Sequence, residues 1–244
     1  KTQKGLIGKD LFLKKDKWRK WAFRFTIFGC IQFILLTTLA MLTYAGGTRI
    51  DPNTSGYSFF LNFLSDLGRT ESFGNSNTVS FVLFFLALIV ISFAFAIFFI
   101  AILGVISVEK PDLLKITSIL GVLSAASFIC VAFSPTNLVP LLHDMFVFLG
   151  FFLSFIVSSL MFYLYKDLET IPKIYSYAFL GYSSLILVYG AISFVTTILI
   201  GLDNTVSLFL RVTAQKIVSY YMVICFLIQS LGALKDHPSI LQII

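Results

Sequence analysis

The sequence predicts an all-α membrane protein, built as a bundle of six transmembrane helices. Composition points to it first: 58% of the 244 residues are hydrophobic and 12% are charged, whereas a soluble domain carries about 25% charged residues. A chain this apolar cannot cover a surface that faces water, so its natural solvent is lipid. The second observation is the arrangement of the apolar residues, which form six long stretches separated by polar loops.

Each stretch is long enough to cross a bilayer, which takes about 20 apolar residues in a helix. We predict spans over residues 21–44, 78–108, 113–133, 140–165, 172–200 and 206–234. The chain then divides into three parts. A basic N-terminal segment covers residues 1–20, the membrane domain covers 21–234, and a short tail covers 235–244.

The N-terminal segment has two interpretations. Apolar residues recur near helical spacing among its lysines, which is typical of a helix that lies in the membrane interface. A solvated and partly disordered basic tail fits the same composition.

The distribution of Lys and Arg predicts the orientation of the bundle. Of the 18 basic residues, 14 fall on the side that carries both termini, and basic residues concentrate on the cytoplasmic side. We therefore expect both termini to be cytoplasmic. The other four, on the exoplasmic side, are Arg49, Arg69, Arg211 and Lys216. Because most of the net charge of +6 flanks spans, we expect membrane lipids as partners and no nucleic acid.

The largest predicted exoplasmic loop covers residues 45–77, between spans one and two. Part of it reads as a short amphipathic helix that ends at Gly68. Its polar stripe would consist of Ser58, Asn62, Ser65, Asp66 and Arg69. The stripe could turn inward as a lid over a site, or it could face water above a packing element.

Ionisable residues near the exoplasmic ends of spans four and six favour a site. His143 and Asp144 open span four, while Arg211 and Gln215 lie one turn apart on span six. Charged groups at membrane depth are costly and usually face the bundle interior and pair. We therefore predict a ligand-binding pocket, with Asp66 or Asp144 as the partner of Arg211. Its residues would be Asp66, Arg69, His143, Asp144, Arg211 and Gln215. An ion-paired plug that binds nothing is the alternative.

Catalysis at this pocket is a second possibility that the sequence leaves open. Ser65, His143 and Asp66 are the candidate catalytic residues. Adjacent helical residues point about 100° apart, so Asp144 is poorly placed to orient His143. The chain has no GxSxG elbow and no cluster of histidines for zinc, and we expect no metal and no cofactor.

Three short stretches of the sequence carry a family resemblance. Asn62-Phe-Leu-Ser65-Asp66-Leu-Gly68 resembles the N-x-x-S-D-L-G signature of a six-helix family, domain of unknown function 998. Asn77 resembles an Asn often found at the start of its second span, and Pro135 with His143 resembles its stretch entering span four. The outline is also similar to the Frag1/DRAM/Sfk1 group. The first family implies no reaction, and the second implies membrane-lipid homeostasis and lipid-anchor remodelling.

Together these patterns favour a multi-pass membrane protein whose exoplasmic pocket recognises a lipid headgroup or a membrane-protein partner. A lipid-modifying enzyme that uses His143 and Asp66 is one alternative. A structural or accessory subunit of a larger membrane complex is the other.

Overall fold

Six long helices account for most of the protein. The computed structural model describes residues 2–104, 108–169, 171–202 and 204–235, with side chains described from Lys17 onward. The helices are α1 (Thr2–Leu42), α2 (Thr78–Ile102), α3 (Pro111–Ala132), α4 (Pro140–Tyr165), α5 (Lys173–Leu199) and α6 (Thr205–Lys235). Each contains a stretch long and apolar enough to cross a membrane, which in α1 begins at Lys17. The chain is thus an all-α multi-pass membrane protein.

Local sequence explains where several helices begin and end. Pro111 and Pro140 stand in the first turns of α3 and α4, where the missing N–H of proline has no helical partner to lose. The apolar stretch of span two continues to Val108, but α2 ends at Ile102. Past that residue the backbone forms a tighter turn, in which the Gly104 N–H donates to the Ala101 carbonyl at 3.4 Å. Hydropathy alone does not reveal this end of the helix.

The helices form a closed ring. Each packs against its neighbours in the chain, and α6 packs back against α1. Aromatic side chains fill the interior, where the Phe226 ring of α6 stacks on Phe95 of α2 at 4.0 Å between centroids. Small residues let α3 and α4 approach closely, because a Cβ at Gly150 would lie 2.9 Å from the Phe128 ring.

Residues 43–77 close one end of the ring, and we call this segment the cap. It contains a 3-10 helix (Leu64–Gly68) and a two-residue hairpin of β1 (Glu71–Ser72) and β2 (Asn75–Ser76). The capped end is where α1, α3 and α5 finish and where α2, α4 and α6 begin.

The amphipathic helix predicted around residues 58–69 is wrong. The chain there forms turns followed by the five-residue 3-10 helix, in which Leu64, Asp66, Leu67 and Gly68 are buried. The predicted polar stripe fails because its members do not share one surface. The Asn62 and Asp66 side chains turn inward onto backbone N–H groups of the cap, which helical spacing alone cannot anticipate.

Two predictions about the chain ends depend on side chains or residues outside the described part of the chain. The two interpretations of the N-terminal segment, an interfacial helix and a basic tail, concern side chains before Lys17. The predicted C-terminal tail, apart from Lys235, lies beyond the described residues.

Candidate functional site at the capped end

Three asparagines hold the cap in place. The Asn62 amide accepts a hydrogen bond from the Ser58 N–H at 2.9 Å and donates to the Gly47 carbonyl at 2.8 Å. Asn77 does the same for the Ala45 N–H and the Arg69 carbonyl, at 3.0 and 2.8 Å.

The third asparagine, Asn137, lies in the α3–α4 connection and bonds both the backbone and the side chain of Thr70. These bonds satisfy backbone groups that no helix or sheet pairs, so they fix the conformation of an otherwise irregular segment.

Asp66 is buried within the cap, with 2% of its surface exposed. Its Oδ2 accepts the Phe63 N–H at 2.7 Å at the start of the 3-10 helix, and its Oδ1 lies 3.9 Å from an Arg69 nitrogen. Burial raises the pKa of the carboxyl above its ordinary value, while Arg49, Arg69 and the Phe63 N–H oppose that change. Asp66 is thus a structural acceptor whose ion pair is with Arg69. The pairing of Arg211 with Asp66 or Asp144 stays a prediction.

Two consecutive side chains of α6 bind the cap from below. Gln215 accepts the Leu64 N–H at 2.9 Å. Lys216 is 2% exposed, and its ammonium donates to the Asn62 carbonyl at 2.5 Å. The same ammonium faces the rings of Tyr57 and Phe59, at 5.3 and 5.0 Å from their centroids. Aromatic faces attract cations, so the rings and the carbonyl of the cap together enclose the head group of Lys216.

Two arginines meet at a single ring. The guanidinium carbons of Arg49 and Arg211 lie 5.1 and 5.8 Å from the centroid of Phe63. Arg49 is exposed, whereas Arg211 is 7% exposed and donates to the Leu202 carbonyl at 2.9 Å. Residues distant in sequence thus place two guanidinium groups against one ring at the capped end.

His143 is buried in the first turn of α4 and fastens the α3–α4 connection. Its Nδ1 lies 2.6 Å from the Ser134 carbonyl oxygen. Because a carbonyl oxygen only accepts, Nδ1 carries a proton, and in the neutral form of the ring Nε2 is then a basic lone pair. Nε2 is buried and has no hydrogen-bond partner among the described residues.

A small cavity lies inside the ring beneath the cap. Its volume is about 50 Å³, and Ser65, Gln215 and Ser219 supply hydroxyl and amide groups to an otherwise apolar lining. Val147 and Phe151, one and two turns after His143 on the same face of α4, also line it. A cavity of this size accommodates a water molecule or a small group.

The structure brings most of the predicted site residues to the capped end. Asp66, His143, Arg211 and Gln215 are buried there, Arg69 is half-buried and Ser65 faces the cavity. Asp144 lies at the same end with an exposed side chain, within electrostatic range of His143 and Tyr189. Its exposure beside a buried His143 follows from the step of about 100° between adjacent helical residues.

Sequence reasoning missed two residues of this group. The sequence uses Arg49 and Lys216 only to predict the orientation of the bundle, yet Arg49 belongs to the cap and Lys216 contacts it. The available signal was the position of Lys216, eleven residues inside α6. A lysine that far into an apolar helix is costly to insert and marks an interior contact.

The described residues contain no group of three or more His, Cys, Asp or Glu side chains that would hold a metal ion. Comparisons with protein-family models, with curated proteins and with solved structures give no match to this chain. The resemblances noted above therefore stay predictions.

Proposed function

We propose that the capped end faces the exoplasmic side of the membrane and binds the anionic headgroup of a membrane lipid. Arg49 and Arg211 would meet the phosphate, and Lys216, Arg69 and Asp66 would hold the cap in the shape that presents them. Residues that carry the family resemblance also lie at the capped end. They are Asn62, Ser65, Asp66, Gly68 and His143.

The pairing of Arg49 and Arg211 over the Phe63 ring carries this proposal. The two guanidinium carbons lie 5.1 and 5.8 Å from one ring centroid, so a single anion at the edge of that ring is within reach of both. Guanidinium groups bind phosphate through paired charge-assisted hydrogen bonds, which are stronger than neutral ones. An exposed arginine beside a buried one also suits a ligand that arrives from the membrane surface.

Lipid binding by purified protein tests the proposal directly. We expect wild-type protein in mild detergent to bind phosphatidylglycerol about tenfold more tightly than phosphatidylcholine, as measured by native mass spectrometry. Arg49→Gln should reduce this preference several-fold, because it removes an exposed charge from the Phe63 ring without touching the buried core.

Lys115→Gln is the matched control. Lys115 is exposed at the start of α3, where it pairs with Asp112 at 2.9 Å, so the substitution removes the same charge far from the cap. An equal loss of preference in both variants, or no preference in the wild type, would show that the cap does not recognise the headgroup.

A lipid-modifying enzyme is the second candidate, and the tautomer of His143 favours it. With Nδ1 held by the Ser134 carbonyl, Nε2 has the free lone pair of a general base. Ser65 would attack an ester carbon and pass its proton to Nε2, which would return it to the departing alcohol. This requires Ser65 Oγ to come within about 3 Å of Nε2.

A fluorophosphonate probe separates this candidate from simple binding. The enzyme hypothesis expects labelling of wild-type protein that disappears in both Ser65→Ala and His143→Gln. Absence of labelling in folded wild-type protein, together with intact lipid after long incubation, would eliminate it.

A further inference from the structure

A second cavity lies further inside the ring, next to the cavity beneath the cap. Phe128 and Met222 line both cavities. The volume of the inner cavity is about 10 Å³, which is close to the smallest space that accommodates one water molecule. Every residue that lines it is buried. The inner cavity is therefore too small and too enclosed for a lipid chain or a headgroup.

Side chains with hydroxyl groups stand in the otherwise apolar wall of this cavity. They are Ser124 of α3, Ser154 and Ser158 of α4, and Tyr182 of α5. Cavities that stay empty in proteins are lined by apolar groups, whereas a buried water needs about two to four polar partners. The lining of the inner cavity thus favours water over an empty space.

The hydroxyl of Tyr182 is the group in this wall that lacks a partner. The Tyr182 side chain is 2% exposed and lies close to that of Ser154. Its hydroxyl nevertheless forms no hydrogen bond with any described residue. A buried hydroxyl without a hydrogen bond costs free energy, and a small polar molecule in the cavity would remove that cost.

The serines of the wall can accept a hydrogen bond from the cavity, but their own protons are already used. A hydroxyl carries a single proton. Ser124 donates to the Gly150 carbonyl at 2.9 Å, so Ser154 is the donor in the 2.8 Å contact between the two serine hydroxyls. Ser158 donates to the Ser154 carbonyl at 2.7 Å. The hydroxyl oxygens of Ser154 and Ser158 therefore keep lone pairs for a donor in the cavity.

We infer that one water molecule occupies the inner cavity and joins α4 to α5. It accepts a hydrogen bond from the Tyr182 hydroxyl and donates to the hydroxyl oxygens of Ser154 and Ser158. About three hydrogen bonds are typical of a buried water. Because Ser154 also bonds Ser124, the water completes a polar network that links three helices. The inference does not depend on the headgroup site, and either can fail without the other.

Radiolytic labelling of the purified protein in mild detergent tests for the water. An X-ray pulse converts water into hydroxyl radicals, which hydroxylate the side chains beside it. We expect mass spectrometry to show Tyr182 hydroxylated several-fold faster than Tyr165. Tyr165 is the matched control, because it is also 2% exposed with an unpartnered hydroxyl among the described residues but does not line this cavity. A rate at Tyr182 no higher than that at Tyr165 would overturn the inference.

Removing the tyrosine hydroxyl distinguishes a bound water from an empty space by the sign of the change in Tm. With water bound, Tyr182→Phe deprives that water of a donor, and Tm should fall by about 2–4 °C. With the cavity empty, the same change removes an unpaired hydroxyl, and Tm should stay the same or rise. The second result would contradict the proposed site.

A double-mutant cycle tests the bridge itself. Ser158→Ala should lower Tm in the wild type but change it less in the Tyr182→Phe variant, because the two hydroxyls interact through the shared water. Equal effects of Ser158→Ala in both backgrounds would show that no molecule connects the two side chains.

Discussion

Polar side chains at the capped end differ in what they bind. Asn62, Asn77 and Asn137 are occupied by backbone groups of the cap and its neighbours. Arg49 and Lys216 instead contact aromatic rings, and Lys216 forms one hydrogen bond to a carbonyl. The asparagines therefore act as structural residues, and the exposed Arg49 remains as a group able to recognise a ligand.

Asp66 makes a pH-dependent contribution that a substitution can isolate. Its folded pKa is raised above the ordinary value of 3.8 by burial, so protonation is more favourable in the folded state than in the unfolded chain. Stability from this group is then greatest below about pH 4 and decreases as pH rises through the folded pKa. In Asp66→Asn the amide oxygen still accepts the Phe63 N–H but carries no charge.

We expect the Tm of the Asn variant to rise by a few degrees relative to that of the wild type as pH increases from about 4 to 8. In a chain of this size, about 1 kcal/mol of unfolding free energy shifts Tm by 2–4 °C. Tm measured in detergent at several pH values checks this. A difference between the two proteins that is constant, or that changes in the opposite direction, would contradict the raised pKa.

The 3-10 helix depends on close contact with α2. A Cβ at Gly68 would lie 2.7 Å from the Phe84 ring, so the element approaches α2 more closely than any larger residue permits. Ser80 of α2 also donates to the Leu67 carbonyl at 3.2 Å. Packing against α2, and not backbone conformation, therefore requires glycine at position 68.

Gly68→Ala should therefore destabilise the protein by about 1–3 kcal/mol, the usual cost of forcing extra volume into a packed site. Gly190→Ala in α5 is the matched control, because a Cβ there meets nothing within 4 Å. Alanine in a helix interior is favoured over glycine by about 0.5–1 kcal/mol. Opposite shifts in thermal unfolding are expected, and a neutral Gly68→Ala would mean that the cap does not pack this tightly on α2.

The whole molecule is asymmetric from end to end. The cap covers one end with an ordered network of side chains and backbone, while the opposite end carries short connections and exposed lysines such as Lys110 and Lys115. This asymmetry suits a bundle with a specialised exoplasmic end and a cytoplasmic end held by positive charge.

Labelling of single cysteines in intact cells tests this orientation. Starting from a variant without the three native cysteines, Asn53→Cys in the cap should react with a membrane-impermeant maleimide in intact cells. Asp167→Cys, in the α4–α5 connection, should react only after permeabilisation. The reverse pattern would place the cap in the cytoplasm and remove the exoplasmic headgroup site.

The sequence alone determined the six helices, because a helix that crosses a membrane needs a long run of apolar side chains. Such a run can be recognised without knowing the tertiary structure. It also located Asp66, His143, Arg211 and Gln215, since polar groups within apolar runs must find interior partners.

Only the tertiary structure decided which partners those groups found. Asp66 joins Arg69 and the Phe63 N–H, Arg211 shares a ring with Arg49, and the Asp144 side chain is exposed. The shape of the cap was also beyond sequence periodicity, because asparagine bonds to unpaired backbone groups set it in place of a repeating hydrogen-bond pattern. Such bonds join residues far apart in the chain, and they exist only once the ring has closed.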